Sequence, residues 1–83
     1  MPASVSDFCS QVNAVAPPSG ARFSTTINPD GSVAIYRKAS AATVTATLLF
    51  PRVVYGAHND SVVVGDGSGV MAKNATAFIS SLS

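Results

Sequence analysis

Arg22–Lys38 reads RFSTTINPDGSVAIYRK, and this stretch decides the fold. Phe23, Thr25 and Ile27 alternate with Arg22, Ser24 and Thr26, the two-residue period of a strand with one face turned inward. Asn28-Pro29-Asp30-Gly31 then supplies the residues of a type I turn followed by a left-handed glycine. Ser32–Lys38 returns with Val33 and Ile35 on one face and Ala34 and Tyr36 on the other. The spacing predicts a β-hairpin.

Upstream, Ser4-Val5-Ser6-Asp7 has the form of a helix start, with Ser4 as cap and Asp7 placed at the positive end of the helix dipole. Val5, Phe8, Cys9, Val12 and then Val15 or Ala16 recur at helical spacing, and Pro17-Pro18-Ser19-Gly20 closes the segment. A helix over about 5–15 is expected.

Downstream, Thr43–Phe50 reads as a strand with Val44, Ala46, Leu48 and Phe50 facing one way and Thr43, Thr45, Thr47 and Leu49 the other. Pro51 donates no hydrogen bond, so a bulge, an edge or a bend is expected there. Arg52–Ala57 and Ser61–Val64 read as a second hairpin around His58-Asn59-Asp60, and Gly65–Gly69 breaks the pattern. A closing helix is expected from the shared face of Met71, Ala75, Phe78, Ile79 and Leu82. The predicted class is α+β: an N-terminal helix, an antiparallel sheet of four to five strands built from hairpins, and a C-terminal helix. The 83 residues suit a single domain spanning 1–83.

The composition narrows the chemistry. Charged residues make up 11% of the chain, well below the roughly 25% of ordinary soluble domains. Ala, Ser, Val and Thr make up about half, and 47% of residues are hydrophobic. A net charge of +1 gives no overall basic footprint for nucleic acid. Arg22, Arg37, Lys38 and Arg52 with Tyr36 form a thin set of cations and one aromatic that a nucleic-acid sheet would use, and they read instead as sheet-edge charges. Cys9 is the only cysteine, which excludes an internal disulfide, and with the lone His58 it leaves too few ligands for a zinc cage. Cys9 sits on the helix stripe and reads as a buried thiol.

His58 with Asp60 and Asp66 is the one conceivable acid–base or metal cluster, but no nucleophile motif accompanies it and turn chemistry explains the polar residues. Glycines at 65, 67 and 69 fit neither a dinucleotide fingerprint nor a phosphate loop, so the segment reads as a connector with Ser68 or Asp66 as cap. Asn59-Asp60-Ser61 and Asn74-Ala75-Thr76 match the glycosylation pattern and read as chance matches. No apolar stretch reaches the length of a membrane-spanning helix, and Met1–Ser10 lacks the features of a signal peptide. Synthesis in a reducing cytosol is therefore expected, with no cofactor, no metal and no small-molecule substrate.

Two short helices cover one face of such a sheet. The other face, with Tyr36, Thr43, Thr45, Thr47, Leu49 and Tyr55, is the expected interface, and Thr43–Phe50 would be aggregation-prone if its edge were open. The sequence thus points to a non-enzymatic structural or assembly protein that self-associates, of the kind found as a capsid or decoration subunit of a virion. A small binding module or inhibitor docking on one larger partner is the alternative.

Overall fold

The computed structural model describes residues 3–64 and 71–83. The chain runs α1 (Val5–Asn13), β1 (Arg22–Ile27), β2 (Val33–Lys38), β3 (Thr47–Gly56), β4 (Ser61–Val64), β5 (Met71–Asn74) and α2 (Ala75–Ser81). The strands form one antiparallel sheet in sequence order, β1-β2-β3-β4-β5, between an N-terminal and a C-terminal helix. This is the expected α+β arrangement.

The first hairpin forms as its sequence dictates. Gly31 N–H donates to the Asn28 carbonyl at 2.9 Å and Asn28 N–H to the Ser32 carbonyl at 2.8 Å. Gly31 has φ +88°, the left-handed position where a side chain is strained. The turn fixes the register, so Ile27 faces Val33, Thr25 faces Ile35, Ser24 faces Tyr36 and Arg22 faces Lys38.

Helix α1 starts as expected, with Ser4 Oγ accepting from Asp7 N–H at 3.1 Å and Asp7 Oδ2 accepting from Ala3 N–H at 2.8 Å. It ends at Asn13, two residues short of the expected boundary, yet Val15 still reaches the core while Ala16 is exposed.

Three expectations are corrected. Residues 43–46 are not strand: β3 begins at Thr47 and runs unbroken through Pro51 to Gly56, so the two expected strands are one. Its ladder to β2 slips twice, between the Tyr36–Leu48 and Ile35–Phe50 pairs and again between Ile35–Phe50 and Val33–Val53. Pro51 lies in the second irregularity, where its missing N–H costs least. Each slip inserts an extra residue, so Leu48 and Phe50 do not share a face as simple alternation implies. Leu48 pairs with Tyr36, whereas Phe50 pairs with Ile35 and packs on the core.

The closing helix, expected from Met71, begins at Ala75. Met71–Asn74 instead pairs with Ser61–Val64 as β5. The four β-branched or small residues of β4 offer a strand partner for that backbone. Asn74 then starts the helix, its Oδ1 accepting from Ala77 N–H at 3.1 Å, a role asparagine fills better than a helix interior.

One core joins these elements. Phe8, Cys9 and Val12 of α1 and Phe78 of α2 pack against Phe23, Val33, Ile35, Val53, Tyr55 and Val62 of the strands. The Phe8 ring stacks on Tyr55 at 5.0 Å and lies 6.2 Å from Phe78, which contacts Phe50 at 5.5 Å. Every one of these strand residues projects from the same side of the sheet, as their cross-strand pairings require.

Candidate interaction surface

Because both helices pack on the face of Val33 and Val53, no described helix covers the opposite face, on which Ala34 is nonetheless buried. Alternation places on it Arg22, Ser24 and Thr26 of β1, Ala34, Tyr36 and Lys38 of β2, Leu48, Arg52 and Val54 of β3, and Ser61 and Val63 of β4. Leu48 is 49% exposed. Val54 is exposed as well, and Tyr36 partly buried, in the middle of the face.

The expected interface residues divide. Tyr36 lies on the open face between Ser24 and Leu48. Thr47 and Leu49 are exposed at the start of β3, with Leu49 at the first bulge. Thr43 and Thr45 belong to the loop that leads into β3, and the Thr43 hydroxyl lies 2.9 Å from that of Ser40. Tyr55 is corrected: it belongs to the helix-covered face, is 7% exposed and stacks on Phe8, so it offers nothing to a surface. Burial, then the charges of Asp60 and Asp7, push its phenol above the usual range. Simple alternation groups Leu48 with Phe50, but Phe50 lies between the two bulges and alone turns to the core, while Leu48 and Val54 stay on the open face. Pro51 was the signal that a reset was due. Val44, expected to share a strand face with Ala46, Leu48 and Phe50, instead stands 96% exposed in the loop.

The same region holds an open strand edge. Strand β4 pairs only with Val53–Gly56, so among the described residues nothing bonds the outer edge of Thr47–Phe50. This edge segment carries no charge and two exposed leucines. Natural sheets usually blunt such edges with charge, proline or a covering element.

The turns are rigidly tied. Asp30 Oδ1 accepts from Ser32 N–H at 2.9 Å and Ser32 Oγ at 2.6 Å, while its Oδ2 accepts from Arg52 Nε at 3.1 Å. The Ser32 hydroxyl first, then the Ser32 N–H and the Arg52 side chain, hold the Asp30 carboxyl down to about 2. Asn28 Nδ2 donates to the Pro51 carbonyl at 3.3 Å, pinning the first turn to the bend of β3.

Among the described residues, those weighed for catalysis do not assemble. His58 is exposed in the β3–β4 turn, and Cys9 is buried in the core. Asp60 is taken up structurally: its Oδ2 accepts from Asn74 Nδ2 at 2.6 Å and its carbonyl from Ala75 N–H at 3.0 Å. Asp60 adopts φ +52° to do so. Both asparagines of the glycosylation-like triplets have local work, Asn59 accepting from the Ser61 hydroxyl at 2.7 Å and Asn74 capping α2. The Gly65–Gly69 segment and Asp66 lie outside the described residues. Among the described residues no three His, Cys, Asp or Glu side chains converge as metal ligands. No helix there is long and apolar enough to cross a membrane. No family model, curated protein or solved structure matches the chain.

Proposed function

We propose that this chain is a non-enzymatic assembly protein whose copies join through the open edge of β3, in the manner of a small capsid or decoration subunit. The observation that carries this reading is the uncharged, outward edge Thr47–Phe50 with Leu48 and Leu49 exposed. A strand edge of this kind is a template for another strand. It is also self-complementary. Set antiparallel to its own copy about its midpoint, the segment brings Thr47 beside Phe50 and Leu48 beside Leu49, so no like charges meet and the contact closes on a two-fold axis. The neighbouring Val44 adds apolar surface at the same end of the sheet. The sparse charge and abundant small and β-branched residues suit extended subunit contacts and leave few groups for acid–base chemistry.

Size-exclusion chromatography with light scattering at micromolar concentration tests the reading. The expected result is a dimer or larger assembly that Leu49→Lys converts to monomer without changing the circular dichroism spectrum. A monodisperse wild-type monomer would overturn self-association and turn attention to a single larger partner at the same edge.

A further inference from the structure

All five cations of the chain, Arg22, Arg37, Lys38, Arg52 and Lys73, lie in strands, and among the described residues no strand contains an acid. Of the described acids, Asp7 belongs to α1 and Asp30 and Asp60 to turns; Asp7 and Asp30 accept local hydrogen bonds and Asp60 one from Asn74. Register then sorts the cations. Arg37 faces Phe23 on the helix-covered side, whereas Arg22, Lys38 and Arg52 share the uncovered face with Tyr36.

Two details make this face unusual. Arg22 and Lys38 are direct cross-strand partners, so their Cβ atoms stand about 5 Å apart, a like-charge arrangement that destabilises a sheet. The Arg22 guanidinium is also oriented, its Nη1 donating to the carbonyls of Gly20 at 3.2 Å and Ala21 at 2.8 Å. Two residue pairs further along, and next on the same face, Tyr36 stands opposite Ser24. Arg52, beside the Val33–Val53 pair, is level with Ala34, four residues of β2 and about 13 Å from Lys38 at about 3.3 Å per residue. Its contact to Asp30 is an exposed ion pair, which contributes little and exchanges readily for another anion.

We infer that the uncovered sheet face binds single-stranded nucleic acid, with Arg22, Lys38 and Arg52 on phosphates and Tyr36 stacked on a base. Charge complementarity names a polyanion, since an anion between Arg22 and Lys38 relieves their repulsion. The central aromatic on an open sheet names one with bases, because stacking platforms flanked by cations hold unpaired strands without reading sequence. The face is distinct from the β3 edge, so the inference does not rest on self-association.

Fluorescence anisotropy with a labelled oligouridylate of about 12 nucleotides provides the test. Saturable binding is expected, weakening with salt at a log–log slope of about −2, or about −0.7 for each of three neutralised phosphates. Lys38→Gln and Arg22→Gln should each weaken binding and flatten that slope by about 0.7. Lys38→Gln should at the same time raise the urea midpoint of the free protein by removing the like-charge pair. Tyr36→Ala should cost roughly tenfold in affinity while Tyr36→Phe retains it. Arg37→Gln, on the other face, should change neither quantity, and circular dichroism verifies the fold of each variant. Absence of saturable binding by the wild type at low salt overturns the inference, as does binding that responds to Arg37→Gln and not to Lys38→Gln. Equal affinity for a heparin oligosaccharide with no response to Tyr36→Ala overturns the assignment of nucleic acid.

Discussion

Replacing Asn74 with alanine removes two interactions at once and tests whether the β3–β4 turn and the C-terminal helix are one mechanical unit. Asn74 Oδ1 caps α2 through Ala77 N–H, and its Nδ2 donates to Asp60 Oδ2 at 2.6 Å. A lost asparagine cap costs about 1 kcal/mol. The bond to the Asp60 carboxylate is charge-assisted but exposed, so its loss adds about 1 kcal/mol rather than the upper range for charged acceptors. Asp60 Oδ1 is already buried without a partner, so the variant removes the one side-chain hydrogen bond that holds this carboxylate in place, leaving Oδ2 to water. The sum of about 2 kcal/mol is a large share of the roughly 4–12 kcal/mol expected for a domain of this size. It lowers the thermal midpoint by roughly 8–16 °C. Thermal and urea unfolding followed by circular dichroism measure it. Asn74→Ser keeps a cap and drops the bond to Asp60, so it should lose about half as much. A double-mutant cycle with Asp60→Ala should show a coupling of about 1 kcal/mol. Additive losses, or an Asn74→Ala midpoint within about 2 °C of wild type, would refute the linkage.

Two further outcomes follow from the core and the first turn. Phe8 is fully buried between Tyr55 and Phe78, and Phe8→Ala should cost about 3–5 kcal/mol in urea unfolding, enough to leave a substantial unfolded fraction at physiological temperature. Asp30, held at about 2 against an ordinary 3.8, contributes stability that is fully present above pH 4 and lost as pH falls through 2; acid titration of wild type against Asp30→Asn should show a steeper wild-type decline in that window.

The parts of the fold that could be read from sequence are those decided by local chemistry. Asn28–Gly31 has one low-strain geometry, and that geometry sets the pairing of every residue from Arg22 to Lys38, including which cation faces Lys38. Ser4 and Asp7 similarly mark the start of α1. What escaped the reading depends on partners distant in sequence. Nothing local to Leu48 or Leu49 says that the ladder to β2 slips there. That slip follows from fitting Phe50 and Val53 against the same core. Met71–Asn74 carries a residue at helical spacing and becomes strand because β4 supplies hydrogen bonds that a lengthened helix would forgo. Tyr55 has the composition of a surface residue and is drawn inward by Phe8, a contact spanning most of the chain.

The candidate surface shows the same division. A net charge of +1 argues against a polyanion only if the charges are mixed, and hairpin register unmixes them. The described acids, Asp7, Asp30 and Asp60, sit at a helix start and in turns, because a short carboxylate is most useful where backbone N–H groups lack partners. The cations carry long side chains whose stems cover apolar strand surface, so they fall on the sheet. Once both preferences are met, strand alternation leaves Arg22 and Lys38 side by side on the face that neither helix reaches. Such a pair is tolerated at a cost to the isolated chain, a cost that the proposed polyanion would offset. The uncharged edge of β3 and the basic face of the sheet therefore suit different contacts: like surfaces can meet at the first, and at the second they would repel.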